Sequence, residues 1–132
     1  MDKRIEQEMM ERFGFVPDFY KTVPEVAHEH AWGIQRDLEL PATSLEPRTK
    51  ELIGLAVAAH IKCRYCTYFH TQAARAHGAL EEELREAVVM GGFTSMMSNA
   101  LNGAEYDLEK FKREVDRAIK YMEAHATLPA TH

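Results

Sequence analysis

The sequence predicts an all-α protein, a helical bundle of about six helices. Apolar residues recur at three- and four-residue spacing through most of the chain, whereas no stretch alternates apolar and polar residues as a half-buried strand would. The intervals between periodic stretches are short and carry helix-stop residues: Gly14, Pro41, Gly78 and Asn102-Gly103. No linker, repeat or low-complexity tract interrupts the series. A length of 132 residues, with 45% hydrophobic and 28% charged residues, suits a single globular domain, 1–132.

The first helix is expected from Asp2 to Phe13, ending at Gly14, before the break Phe15-Val16-Pro17-Asp18. Thr22-Val23-Pro24-Glu25 resembles a capping box with proline in the first turn. The second helix then runs to Pro41 with Ala27, Ala31, Ile34 and Leu38 as its apolar face. A third is expected from Ser44, with Pro47 in its first turn and Leu45, Leu52, Leu55, Ala56 and Ala59 inward. After a turn at His60-Ile61-Lys62, a fourth starts at the two cysteines and stops at Gly78.

A fifth helix, Glu81 to Leu101, holds Leu84, Val88, Val89, Phe93, Met96, Met97 and Ala100, more apolar surface than one packing face needs. Gly91-Gly92 in its middle cost about 1 kcal/mol each relative to alanine, which close helix–helix contact offsets, within the chain or between subunits. The sixth carries Leu108, Phe111, Val115, Ile119 and Met122 on one face and frays towards Thr127-Leu128-Pro129.

The net charge of −5 argues against general binding of nucleic acid or an anionic membrane surface. The start, Met1 to Glu6, lacks the apolar core of a signal peptide. The most apolar stretch, Leu52 to Ile61, is too short to span a bilayer. A cytoplasmic location is therefore expected, where a pair of nearby cysteines signals redox or metal chemistry more often than a structural disulfide.

The chemistry concentrates in Glu51, Cys63-Arg64-Tyr65-Cys66 and His70, and the chain has no other cysteine. Spacings of three and four put Cys63, Cys66 and His70 on one helix face. Cys63 falls at the helix start, where free amides and the dipole favour thiolate, the reactive form. His70, one turn beyond Cys66, can exchange a proton with it. On a straight helix Glu51 would lie about 18 Å from Cys63. An antiparallel hairpin turning at 60–62 instead sets it opposite residues 71–73, beside His70. A carboxylate, an imidazole and a thiol then form a proton relay, the general logic of an activated nucleophile.

The bland reading of Glu51 is a solvated helix residue. A zinc module is the other alternative, with Cys63, Cys66 and His70 as ligands and His60, His77 or Glu51 as a fourth, although a second cysteine pair is missing. His60 and His77 flank the site. His28, His30, His125 and His132 have no evident partners, and Tyr65 and Tyr68 are expected to pack.

The stretch Arg48-Thr49-Lys50-Glu51-Leu52-Ile53-Gly54-Leu55-Ala56-Val57-Ala58, then Cys63-Arg64-Tyr65-Cys66-Thr67-Tyr68-Phe69-His70, closely resembles the carboxymuconolactone decarboxylase superfamily, in its alkylhydroperoxidase AhpD-like branch. The pattern of Glu, eleven residues, Cys-x-x-Cys, three residues and His is matched in full. The resemblance implies an AhpD-like helical bundle that assembles as a homotrimer or homohexamer. It implies a thiol-dependent peroxidase or disulfide oxidoreductase for alkyl hydroperoxides or related substrates. Cys66 would be peroxidatic, Cys63 resolving, and Glu51 and His70 the relay. No cofactor or metal is implied, and an external dithiol, from a lipoyl or thioredoxin-like protein or a small thiol, would return the electrons. A carboxymuconolactone decarboxylase-like enzyme without peroxidase activity is the alternative within the family; that branch works without a CxxC. Tyr65 stands where peroxidases of the AhpD-like branch carry a relay histidine.

Overall fold

The computed structural model describes residues 1–125; Thr127-Leu128-Pro129 and His132 lie outside them. Six α-helices account for most of the described residues: α1 (Lys3–Phe13), α2 (His28–Ile34), α3 (Pro47–His60), α4 (Arg64–Ala76), α5 (Glu81–Gly103) and α6 (Leu108–Ala124). No strand occurs among the described residues. The chain divides into two compact units, Met1–Gly91 and the part from Gly92 onward.

In the first unit, α1 is capped by the Asp2 carboxylate, which accepts the Arg4 amide, and ends on Gly14 at φ 78°. The expected capping box at Thr22 does not form. The Thr22 hydroxyl donates to the Phe19 carbonyl inside a 3₁₀ turn, Asp18–Thr22, and a second 3₁₀ turn, Glu25–Ala27, delays α2 to His28. The buried face of α2 is His28 and Trp32; Ile34 and Leu38 are exposed, against expectation. Trp32 packs with Ile5, Met9 and Tyr20, and its indole N–H donates to Glu8. That anchor to α1 rotates the helix away from the face its aliphatic residues suggested. After Ile34 the backbone widens into a π turn, Gln35–Glu39, closed by the Leu40 amide on the Gln35 carbonyl.

Helix α3 begins at Pro47, not Ser44, with no side-chain cap at Glu46. Pro47 starts it because its missing N–H is one the first turn leaves free and its φ is already helical. Helices α3 and α4 form an antiparallel hairpin. Lys62 takes φ 61°, and the amides of Lys62 and Cys63 reach back to the carbonyls of Ala59 and Ala58. This Schellman closure makes Cys63 the residue on which α4 must start. Gly78, at φ 83°, closes α4 with the same bonding pattern. Leu55, Ala74 and Leu84 form the core between α3, α4 and the start of α5. Gly91 lies against α3: a Cβ there would meet the Ala56 carbonyl oxygen at 2.7 Å. One of the two glycines thus makes an intrachain contact.

In the second unit, α5 ends through Glu105 at φ 50° and α6 is capped by Asp107, which accepts the Lys110 amide at 2.6 Å. Leu108, Phe111, Val115 and Ile119 of α6 are exposed, as are Phe93, Met96 and Met97 of α5. Among the described residues no helix is long and apolar enough to cross a membrane.

Candidate active site

Cys63 is the N-cap of α4, with its sulfur accepting the Cys66 amide at 3.2 Å. The two sulfurs, both free thiols, are 2.6 Å apart. Three residues separate an N-cap from the next residue on its face, so the helix start itself sets this approach. Their acidities split. The hydrogen bond with the Cys66 side chain, helped by the Cys66 and Tyr65 amides, holds the Cys63 thiol below the ordinary thiol range. The same sulfur contact, with burial, pushes the Cys66 thiol up. Cys63 is therefore the more acidic thiol of the pair.

One turn further, His70 Nδ1 lies 2.7 Å from Glu51 Oε2. The hairpin sets this pair, across 19 positions of sequence. Glu51 is 1% exposed, a carboxylate among Leu55 and Ala58 on the inner face of α3, and the His70 ring is its hydrogen-bond partner. The ring fits because residue 54 is glycine: a Cβ there would fall 2.4 Å from His70 Cε1. Phe69 meets the ring edge-on at 5.1 Å.

The structure thus brings together Cys63 with Cys66, and His70 with Glu51. Among the described residues no hydrogen bond joins His70 to Cys66. The zinc alternative is not assembled. The three-donor set within 4.8 Å among the described residues is Glu39, Glu51 and His70, without either cysteine. In that set Nδ1 is hydrogen-bonded to Glu51 at 2.7 Å, and Glu39 stands 4.0 Å from the same nitrogen. His60 and His77 are exposed. His28 Nε2 pairs with the Val23 carbonyl at 2.7 Å, and His125 stacks on Tyr121. Tyr65 and Tyr68 do not pack: they are 74% and 70% exposed. Tyr65 lies under the Arg64 guanidinium. Tyr68 joins Lys62, Thr67, Gln72 and Arg75 around an open groove of about 600 Å³ that reaches Cys63.

Sequence reasoning missed Gly54 and Glu39. A glycine inside an alanine-rich helix is a signal of close approach. Glu39, 4.0 Å from His70 Nδ1, carried no signal. It approaches the ring from a π turn that no local pattern announces.

The solved AhpD core of Rhodospirillum rubrum is similar in fold, with a TM-score of 0.70, 24% identity and coverage of 83% of this chain and 84% of that one. A curated relative, uncharacterized protein 4 in the cox locus of Paracoccus denitrificans, is 42% identical over 45 residues. That match covers 34% of this chain and 40% of the relative. The sequence model of the carboxymuconolactone decarboxylase family matches residues 17–107, more than half of the chain. With its all-α AhpD-like fold and its paired thiols, this chain belongs to the carboxymuconolactone decarboxylase family.

Proposed function

We propose that the chain is a thiol-dependent peroxidase of the alkylhydroperoxidase kind. The observation that carries this reading is the 2.6 Å approach of the Cys63 and Cys66 sulfurs one turn from a buried Glu51–His70 pair. Because Cys63 is the more acidic thiol, the first step passes the Cys66 proton to the Cys63 thiolate across the 2.6 Å sulfur contact, leaving Cys66 as thiolate. That thiolate attacks the O–O bond of a hydroperoxide. Cys66 becomes a sulfenic acid, and the alkoxide leaves as alcohol with a proton from the His70–Glu51 relay. Cys63 then attacks the sulfenic sulfur, water departs, and a disulfide forms. An external dithiol reduces it, closing a cycle of two electrons and two protons.

Two supports are structural. Cys63 reaches the open groove, which suits exchange with a reductant of protein or small-thiol type. The exposed apolar faces of α5 and α6 suit burial between copies in a homotrimer or homohexamer. The family match runs through both compact units, which supports reading the chain as one domain. A reducing cytoplasm suits such a cycle.

The test is trapping. Peroxide added to reduced wild type gives a loss of two hydrogens by mass spectrometry. In Cys63→Ser it gives a dimedone-reactive sulfenic acid on Cys66. Absence of the disulfide, or a sulfenic acid that appears only on Cys63 in Cys66→Ser, refutes the assignment. Failure of the protein to consume peroxide with dithiothreitol or dihydrolipoamide refutes the peroxidase reading itself.

A further inference from the structure

The π turn Gln35–Glu39 holds a second carboxylate against the imidazole. Glu39 Oε1 lies 4.0 Å from His70 Nδ1, the nitrogen that Glu51 binds. Its other oxygen accepts the Gln35 side-chain N–H at 2.8 Å. The Gln35 side-chain Oε1 in turn accepts the Tyr20 hydroxyl. Tyr20 is buried in the α1–α2 core, and burial, with Glu39 nearby, pushes its hydroxyl up to about 12. Tyr20 therefore keeps its proton and remains a donor across the physiological range. That fixes the Gln35 amide with its N–H towards Glu39. The far end of the segment is also tied, because the Lys50 ammonium donates to the carbonyls of Leu38 and Pro41. Glu39 is thus aimed from both sides. π turns are uncommon and are frequently found at functional sites.

We propose that Glu39 is a positioning residue of the His70 relay, a second carboxylate that holds the ring's positive charge while a proton is in transit. This inference deepens the peroxidase reading and rests on it. A relay histidine must accept a proton and give it up within one cycle. Glu51 alone fixes ring orientation through one short bond. Glu39, 4.0 Å from the same atom, lies at a distance where charge is felt without competing for the bond. The titratable groups facing the ring are Glu51 from α3 and Glu39 from the π turn. On its own helix, Cys66 lies one turn earlier with Cys63 beyond it, and Tyr20 is linked only through Gln35.

The test compares Glu39→Gln with Glu46→Gln, which removes an equal charge from an exposed residue outside the relay. In Glu39→Gln, the pH profile of the His70 ring resonances, read by NMR on reduced protein, moves to lower pH, because a nearby negative charge has been removed. The rate of Cys66 oxidation by peroxide at neutral pH falls severalfold. Glu39→Asp, which keeps the charge, restores most of both. Glu46→Gln leaves both within error of wild type. A Glu39→Gln midpoint equal to that of Glu46→Gln overturns the inference. So does a midpoint that moves as far in Glu39→Asp as in Glu39→Gln, since that marks a packing effect. If wild type consumes no peroxide but the midpoint still moves as expected, the peroxidase reading fails while the positioning role of Glu39 stands.

Discussion

Replacing Gly54 by alanine should destabilise the protein, the reverse of what its place in a helix interior would give. Alanine in a helix is favoured over glycine by about 1 kcal/mol. Here the new Cβ would lie 2.4–2.6 Å from three atoms of the His70 ring. Ordinary carbon contacts begin near about 3.5 Å, so the ring has to retreat by about 1 Å. The Glu51–His70 bond of 2.7 Å does not survive such a displacement. Glu51, 1% exposed, is then a buried carboxylate without its partner. Leaving a buried polar group unsatisfied costs about 1–3 kcal/mol, and more when it is charged. Against the gain of about 1 kcal/mol from helix propensity, a net loss of up to about 2 kcal/mol is expected, and more where the carboxylate stays charged. Gly92→Ala is the internal control, because a Cβ at Gly92 meets nothing within 4 Å. It should gain about 1 kcal/mol. Urea unfolding at neutral pH, with m-values compared, measures both. The oxidation rate of Cys66 should also fall in Gly54→Ala and hold in Gly92→Ala. Equal stabilisation by the two substitutions would refute the argument that Gly54 exists to admit the ring.

Gly91→Ala drives its Cβ to 2.7 Å from a backbone oxygen, which cannot swing away as a ring can. A loss of about 1–3 kcal/mol is expected in the same urea assay. Glu51→Gln and His70→Gln should each slow Cys66 oxidation by about 100-fold, and the double variant should be little worse than either; multiplicative effects in stopped-flow would sink the relay. Cys63 should be alkylated by iodoacetamide from a lower pH than Cys66, because its thiol is held down and that of Cys66 pushed up. Thiolate at Cys63 is kept as pH falls through the ordinary thiol range, and the Cys66→Ala change should move its alkylation midpoint up. An unchanged midpoint by peptide mass mapping would contradict the sulfur contact as its main cause.

Local chemistry was legible in the residues themselves. Gly14 and Gly78 end α1 and α4 because a left-handed C-terminal residue is a property of a few adjacent bonds. Spacings of three and four put Cys63 and Cys66 on one helix start, and there the structure finds them in contact. The register of Glu51 with His70 needed only a turn at 60–62 and the hairpin geometry that follows from it. Tertiary structure decided which faces are covered. The periodicity of α2 pointed to Ile34 and Leu38, but Trp32, bonded to Glu8 of α1, turned the helix to bury itself and His28. Apolar spacing marks a face and not what covers it, and on α6 Leu108, Phe111, Val115 and Ile119 are exposed. Glu39 is the clearest case. It reaches His70 across 31 positions because a π turn, a Tyr20–Gln35 link and the Lys50 tether aim it there. The π turn and the Gln35–Glu39 bond are local, but the Tyr20–Gln35 link and the approach to His70 join segments distant in sequence, and no propensity or spacing within either segment encodes them.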